Sequence, residues 1–279
     1  MSASGTVTSP GGRIGRGFIN LVAAFGLLYL FAPIFVIVAF SFNKPKGRFN
    51  AVWQEFTLDN WLHPFADKPL VDALILSLRI AFISTIIATI LGTFIAIALV
   101  RYRIKGGEPV NFLLVLPLTA PEIVLGASLL TLFIQPTMVF FNHSFTLGTT
   151  TIIIAHIMFL VSYVAITVRA RVRGIDWTLE DAAMDLGASL TRTFWKVTLP
   201  LITPGILAAA LLAFALSIDD FIITYFVSGP NTTTFPVRIF NQSRTATPPQ
   251  INVLSTMILL VSITVLAAGT AWGAYRERN

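Results

Sequence analysis

Four ionisable side chains, Arg79, Glu122, Asp219 and Asp220, stand inside otherwise apolar stretches of this chain. A charge deep in a bilayer is costly, so each such residue calls for a partner or an aqueous pathway. Asp219 and Asp220 are adjacent, and on one continuous helix they would point about 100° apart. A single arginine therefore cannot neutralise both. By helical rise, the two aspartates would lie roughly 20 Å along a helix that starts near Ile206, and Arg79 about 9 Å along one that starts near Ala73. If these helices run in opposite directions the depths overlap, so Arg79 is the candidate structural ion-pair partner of one aspartate, which leaves the other for a substrate path. Glu122 follows Pro117 and Pro121, and prolines inside a span free backbone carbonyls, which is tolerated where protein or a water-filled cavity surrounds them. Glu122 is therefore expected to face the bundle interior on the substrate path, with a structural hydrogen bond to another helix as the alternative. Unpaired carboxylates on a path favour a cationic substrate. Aromatic faces beside them would add cation–π attraction; Tyr163 and Tyr225 are the candidates, with Phe221 and Phe226 as neighbours of the latter.

Other chemistries find no support. His156 is alone in its span and reads as a satisfied packing residue, while His63 and His143 have no partners at ligand spacing, so no metal site is expected. With no cysteine in the chain there is neither a disulfide framework nor a thiolate ligand. No nucleophile-elbow, zinc-helix or dinucleotide motif occurs in a suitable context, and no Gly-x4-Gly-Lys-Ser/Thr phosphate loop occurs at all. The expectation is of no catalytic residues and no cofactor in this chain. If transport is driven by ATP, the nucleotide must be hydrolysed on another chain.

The elements that position these residues are apolar runs. With 55% hydrophobic and only 11% charged residues, and a mean hydropathy of +0.80, the composition is that of an all-α membrane protein. Six spans are expected, at about Phe18–Phe42, Ala73–Val100, Asn111–Ile134, Thr150–Thr167, Ile206–Val227 and Ile251–Ala274. The first is too long for a cleavable signal and lacks a following cleavage site. Residues 1–17 read as a disordered tail, 18–274 as the membrane domain and 275–279 as a second tail. Of 19 Lys and Arg residues, Arg13, Arg16, Arg101, Arg103, Lys105, Arg169, Arg171, Arg173, Arg192, Lys196, Arg276 and Arg278 fall on the side of the termini. Only Lys44, Lys46, Arg48, Lys68, Arg238 and Arg244 fall opposite, so the positive-inside rule makes both termini cytoplasmic. The formal charge of +6 is thus mainly a topology signal, not one for nucleic acid. The long loops lie outside: Asn43–Leu70, whose Trp53 and Trp61 suit a membrane interface; Gln135–Thr149, with Met138–Phe141; and Gly229–Gln250. They are read either as the rim that receives a soluble partner or as plain connections.

The fourth and fifth spans are joined on the cytoplasmic side by residues 176–200. Thr178 followed by Asp181 has capping-box spacing, Gly187 can end the helix, and a second helical run from Ser189 to Val197 is expected to be closed by Pro200. The pattern Asp181-Ala182-Ala183, three residues, Gly187, then Val197 and Leu199-Pro200 resembles the acid-Ala-Ala cytoplasmic loop of ABC importer permeases. Its one departure is Asp181 where that family usually has Glu. Ser217–Pro230, Phe235–Phe240 and Pro121-Glu122 are in turn similar to the second permease subunit of spermidine/putrescine importers.

This resemblance covers most of the chain from about Ala73 onward. It implies a six-helix ABC type I importer permease, half of a translocation path for polyamines that works by alternating access. The implied partners are a second permease subunit, an ATPase dimer carrying ATP and Mg, an extracytoplasmic substrate-binding protein and the lipid of a bacterial inner membrane. Asp181, Ala182, Ala183, Gly187, Leu199 and Pro200 would form the ATPase-coupling loop. The alternatives are a permease of the same branch for iron, thiosulfate/sulfate or phosphonate, and a self-sufficient cation channel or secondary transporter that uses Glu122, Asp219 and Asp220.

Overall fold

The structure is a computed structural model that describes residues 10–102, 107–135 and 145–278. In chain order its helices are α1 (Pro10–Phe40), α2 (Asp59–Leu62), α3 (Lys68–Arg101), α4 (Gly107–Thr119), α5 (Glu122–Ile134), α6 (Thr149–Val172), α7 (Thr178–Asp185), α8 (Leu190–Thr193), α9 (Leu199–Asp219), α10 (Ile222–Val227), α11 (Phe235–Ser243) and α12 (Pro249–Arg278), with a π-helical turn at Phe194–Thr198. Two compact units emerge, residues 1–68 with 242–279 and residues 69–241.

The chain is all-α, as the apolar periodicity predicts. Four helical stretches are long and apolar enough to cross a membrane, Phe18–Phe40, Lys68–Arg101, Thr149–Val172 and Leu190–Asp219, with α4 and α5 a fifth if that bent pair is one span. The described apolar part of α12 is the shorter Pro249–Thr264. Two expected spans differ in form. The third is not straight, because α4 and α5 meet at 111° across Thr119–Glu122; Pro121, extended at ψ 130°, cannot carry the helix onward. The fifth begins earlier than Ile206 and ends earlier than Val227, breaking at Asp220. Pro10 opens α1, where a missing N–H costs nothing, so the helix reaches into the expected tail. The remaining tail residues, Arg103, Lys105, Met138–Phe141 and His143 lie outside the described residues.

In the first unit α1 packs on α12, and the segment after α1 is tied down by asparagine side chains. Asn43 donates to Asn50 Oδ1 at 2.6 Å and accepts from the Gln54 N–H at 2.8 Å, and Asn60 donates to the carbonyls of Ser41 and Asn43. Trp61 donates to Ser41 Oγ and stacks on Phe42, so it belongs to this folded segment. Buried amides replace the regular structure that Pro45 and Pro64 deny to the backbone.

The second unit is organised around α6, whose apolar window is 56% buried, against 33% for α3 and 22% for the Leu190–Asp219 stretch. Leu160, Val164, Val168 and Val172 of α6 meet Ile80, Ala88 and Ala96 of α3 and Ile202, Ala209 and Ala213 of α9. In lipid such association rests on close packing, because the solvent is as apolar as the side chains. Gly92 illustrates this: a Cβ there would lie 2.7 Å from Val164 Cβ, so only glycine lets α3 approach α6 so closely.

Candidate functional site

The segment between α6 and α9 is built from local hydrogen bonds. Asp176 Oδ1 accepts from the Thr178 N–H at 3.0 Å and from its hydroxyl at 2.8 Å, a side-chain turn that leads into α7. The expected Thr178–Asp181 capping box does not form, because the Thr178 hydroxyl is turned back to Asp176. The Thr178 hydroxyl first, and its N–H second, hold the Asp176 carboxyl below the usual carboxylate range. Gly187 ends α7 as expected, at φ +84°, with Gly187 N–H to Met184 O and Ala188 N–H to Ala183 O forming a Schellman pair.

Ser189 then caps α8. Pro200 does not close this run. The π turn, in which the Leu199 N–H reaches Phe194 O, carries the chain directly into α9 and leaves Pro200 in the first turn, where no N–H is needed.

This segment presents an apolar face. Leu186 is 90% exposed and Leu190 and Trp195 are open beside it. Ala182, Ala183 and Pro200 line one groove of about 400 Å³ with Leu186, and Gly187 lines an adjoining one of about 340 Å³. Asp181 is exposed on the same helix, whereas Leu199 is half-buried and packs inward. Glu180, one residue before Asp181, is buried, with Arg101 Nη1 at 2.5 Å from one oxygen and the Thr198 hydroxyl donating to the other.

A second polar constellation sits where α9 gives way to α10. Asp220 is extended at ψ 121°, and its carboxylate accepts from the Thr224 N–H at 2.8 Å and the Thr224 hydroxyl at 2.6 Å. His156 Nε2 lies 3.3 Å from the same oxygen, and His156 Nδ1 is 2.7 Å from Ser217 Oγ. The cluster is closed off, since the side chains of His156 and Asp220 are only 3% and 7% exposed. Asp219, by contrast, is exposed. After the break, Phe221, Tyr225 and Phe240 form a group of rings with centroids 4.7–6.3 Å apart. Glu122 is exposed at the start of α5, where the helix dipole favours an acid. α5 packs on α10, with Gly126 against Phe226, so two short helices that each follow a break lie together.

The family described as "Binding-protein-dependent transport system inner membrane component" matches residues 88–278. The chain belongs to this family. It is 38% identical over 244 residues to the putrescine transport system permease protein PotI of Escherichia coli (strain K12), covering 86% of this chain and 84% of that one. The spermidine/putrescine transport system permease protein PotC of Haemophilus influenzae is 37% identical, over 85% of this chain and 89% of its own. Among solved structures, a bacterial ABC transporter that imports the acidic polysaccharide alginate has a chain of the same fold, with a TM-score of 0.71 and 16% identity over 92% of this chain and 94% of that one. The protein is thus a multi-pass permease subunit of a binding-protein-dependent importer, and a transport subunit rather than an enzyme.

In this permease the structure gathers some of the sequence candidates and separates others. Ala182, Ala183, Gly187 and Pro200 come to one face, with Asp181 beside them. Asp219 and Asp220 do not share a helix, because the backbone turns between them. Arg79 is exposed and forms no ion pair among the described residues; the Asp220 carboxylate lies against Thr224 and His156 instead. The break after Asp219 takes Asp220 off α9, so helical rise does not fix where its carboxylate lies. Tyr163 packs against Phe159 within the core at 4.9 Å, while Tyr225 is open. His156 is satisfied, as expected of a buried histidine, but its partner is the very aspartate that sequence reasoning gave to the path. Sequence reasoning missed Glu180; its signal was a second acid one position from Asp181, which a helix turns to a different face.

Proposed function

We propose that this chain is one of two permease subunits of a bacterial inner-membrane importer for polyamines, and that its residues 176–200 dock on a separate ATPase that holds ATP and Mg. The observation that carries the substrate is the 34–38% identity, over 85–92% of the chain, to permeases named for putrescine and spermidine. The geometry agrees with it. Asp219 and Glu122 are carboxylates left open at the ends of broken helices, and Tyr225 offers a ring face near the first of them in sequence. Irregular backbone and helix ends at membrane depth are the usual place for a transporter's charged ligands. A polyamine carries several ammonium groups along one chain, which suits separated acids and rings.

The remaining parts follow the same reading. Six spans with both termini cytoplasmic place residues 176–200 on the side of the nucleotide. An extracytoplasmic binding protein delivers the polyamine to the outer rim, a second permease completes the path, and ATP-driven closure of the ATPase is passed through α7 to switch access from outside to inside. Within this scheme Asp219, Glu122 and Tyr225 contact the substrate, whereas Asp220 and Tyr163 hold the helices that present them.

The test is ATPase stimulation of the whole complex in nanodiscs by its own binding protein, loaded in turn with spermidine, putrescine or ferric iron. Stimulation by a polyamine alone is expected. Stimulation by iron, or by none of the three, would remove the polyamine assignment and leave the permease reading in place. Uptake by this chain alone in liposomes would favour a self-sufficient transporter.

A further inference from the structure

The coupling segment is held by more than its chain connections to α6 and α9. Glu180 lies in the first turn of α7, and its two carboxylate oxygens are divided between distant parts of the sequence. Arg101, the last residue of α3, approaches Oε2 at 2.5 Å. Thr198, the last residue of the π turn that opens into α9, donates its hydroxyl to Oε1. The Arg101 guanidinium also lies 5.3 Å over the ring of Trp177, immediately before α7. Glu180 is buried, with 4% of its side chain exposed, whereas the neighbouring Asp181 is open. Burying a carboxylate costs desolvation that only a close counter-charge and further hydrogen bonds offset, and an apolar residue would fill the same space more cheaply. Its placement therefore points to a directional link, not to filling.

We infer that Glu180 is a positioning residue that makes α7 move as one body with the cytoplasmic ends of α3 and α9. This rests on the reading of residues 176–200 as the ATPase-docking segment. Without Glu180, a push on α7 is taken up by the turns on either side of it, at Gly174–Asp176 and at Gly187, which carries a positive φ. With Glu180 in place the push is shared with α3, which has no chain connection to α7 and whose Gly92 packs directly on α6. One buried side chain thereby recruits a third membrane helix into the motion.

The experiment uses the whole complex, with its ATPase and second permease, reconstituted in liposomes. Labelled putrescine uptake per ATP hydrolysed is expected to fall about ten-fold in Glu180→Gln and about three-fold in Thr198→Val, with the complex recovered in wild-type yield. A second readout needs no substrate. The chain has no cysteine, so Asn231→Cys, on the far side of α10, gives this chain a single thiol whose maleimide labelling is followed with and without ATP. The ATP-dependent change is expected in the otherwise wild-type chain and lost with Glu180→Gln. A wild-type complex that hydrolyses ATP without moving putrescine would sink the polyamine assignment, and the thiol would still report on Glu180. An equal labelling response with and without Glu180→Gln overturns the inference, as does loss of assembly in both Glu180→Gln and Thr198→Val, which would assign the bridge to folding alone.

Discussion

The segment from Asp176 to Pro200 joins two apolar helices and the break at Asp220 interrupts one, and the two are built in opposite ways. In the first, the helix ends are set locally, with Asp176 bonding its neighbour two residues on, Gly187 ending the helix that contains Ala183 and Ser189 starting the next, while Glu180 alone of the residues named reaches a distant partner, Arg101. The apolar side chains are then left outside, at Leu186 and Trp195. In the second, the decisive partner is remote, since His156 comes from α6 to meet Asp220, and the polar groups are closed in while the rings stay open. Local construction leaves a surface free to receive another protein. Remote construction ties down a break in a span and frees one acid, Asp219, by occupying its neighbour. A charged residue in a span is thus not a path residue on the strength of its charge alone.

The largest test of this contrast is Asp220→Ala, which leaves His156 and Thr224 without their shared acceptor. Leaving these buried donors without their acceptor is expected to cost about 3 kcal/mol, read as a loss of recoverable complex and a lower Tm. Asp219→Ala should cost about 0.5 kcal/mol or less. Equal losses from the two would mean that the structural and path roles are not divided as described.

On the other side of the comparison, Gly187→Asp should lower uptake about thirty-fold while the complex still assembles. Aspartate is one of the few residues that visit the left-handed region, so the turn survives and the change falls on the proposed docking face. Normal uptake in this variant would remove Gly187 from the interface.

Asp219→Asn is expected to lower putrescine uptake about ten-fold, and Tyr225→Leu about three-fold with partial recovery in Tyr225→Phe, because the ring face rather than the hydroxyl would meet an ammonium group. Transport assays under limiting substrate measure both. A phenylalanine variant no better than leucine would remove the cation–π role.

The smallest effect concerns pH. Because the Asp176 carboxyl is held low by its bonds from Thr178, its support for the start of α7 is present above the ordinary carboxylate pKa of about 3.9 and is lost as pH falls through the lower folded value. The protection of the Thr178 amide against hydrogen exchange, relative to an unstructured amide at the same pH, should therefore fall only below that ordinary value. In Asp176→Ala that protection should be low at every pH.

Much of the segment from Asp176 to Pro200 was legible before any coordinates. Its spacing from Asp181 to Pro200 is a run of local rules, and a glycine at a helix end says the same thing in any fold. Two local readings still failed. Thr178 was claimed by Asp176, two residues back, in place of Asp181, and Pro200 was accommodated by a π turn that periodicity does not reveal. Around Asp219 and Asp220 legibility fell away. Apolar periodicity ran on to Val227, and nothing in it signals that Asp220 leaves the helix to bond Thr224 or that His156 waits on another span. Arg79 looked like the partner because depth along a straight helix was the only coordinate that the sequence offered.

The sequence by itself determined that the chain is an all-helical membrane protein, where its main apolar runs fall, and that the segment between the fourth and fifth of them carries an importer's spacing, because hydropathy, glycine and proline act over a few residues at a time. Tertiary structure alone decided which acids are free and which are spent. A carboxylate's role depends on what lies within about 3 Å of it, and for Glu180 and Asp220 those neighbours, Arg101 and His156, stand far away along the chain and meet them only when α3, α6 and α9 pack.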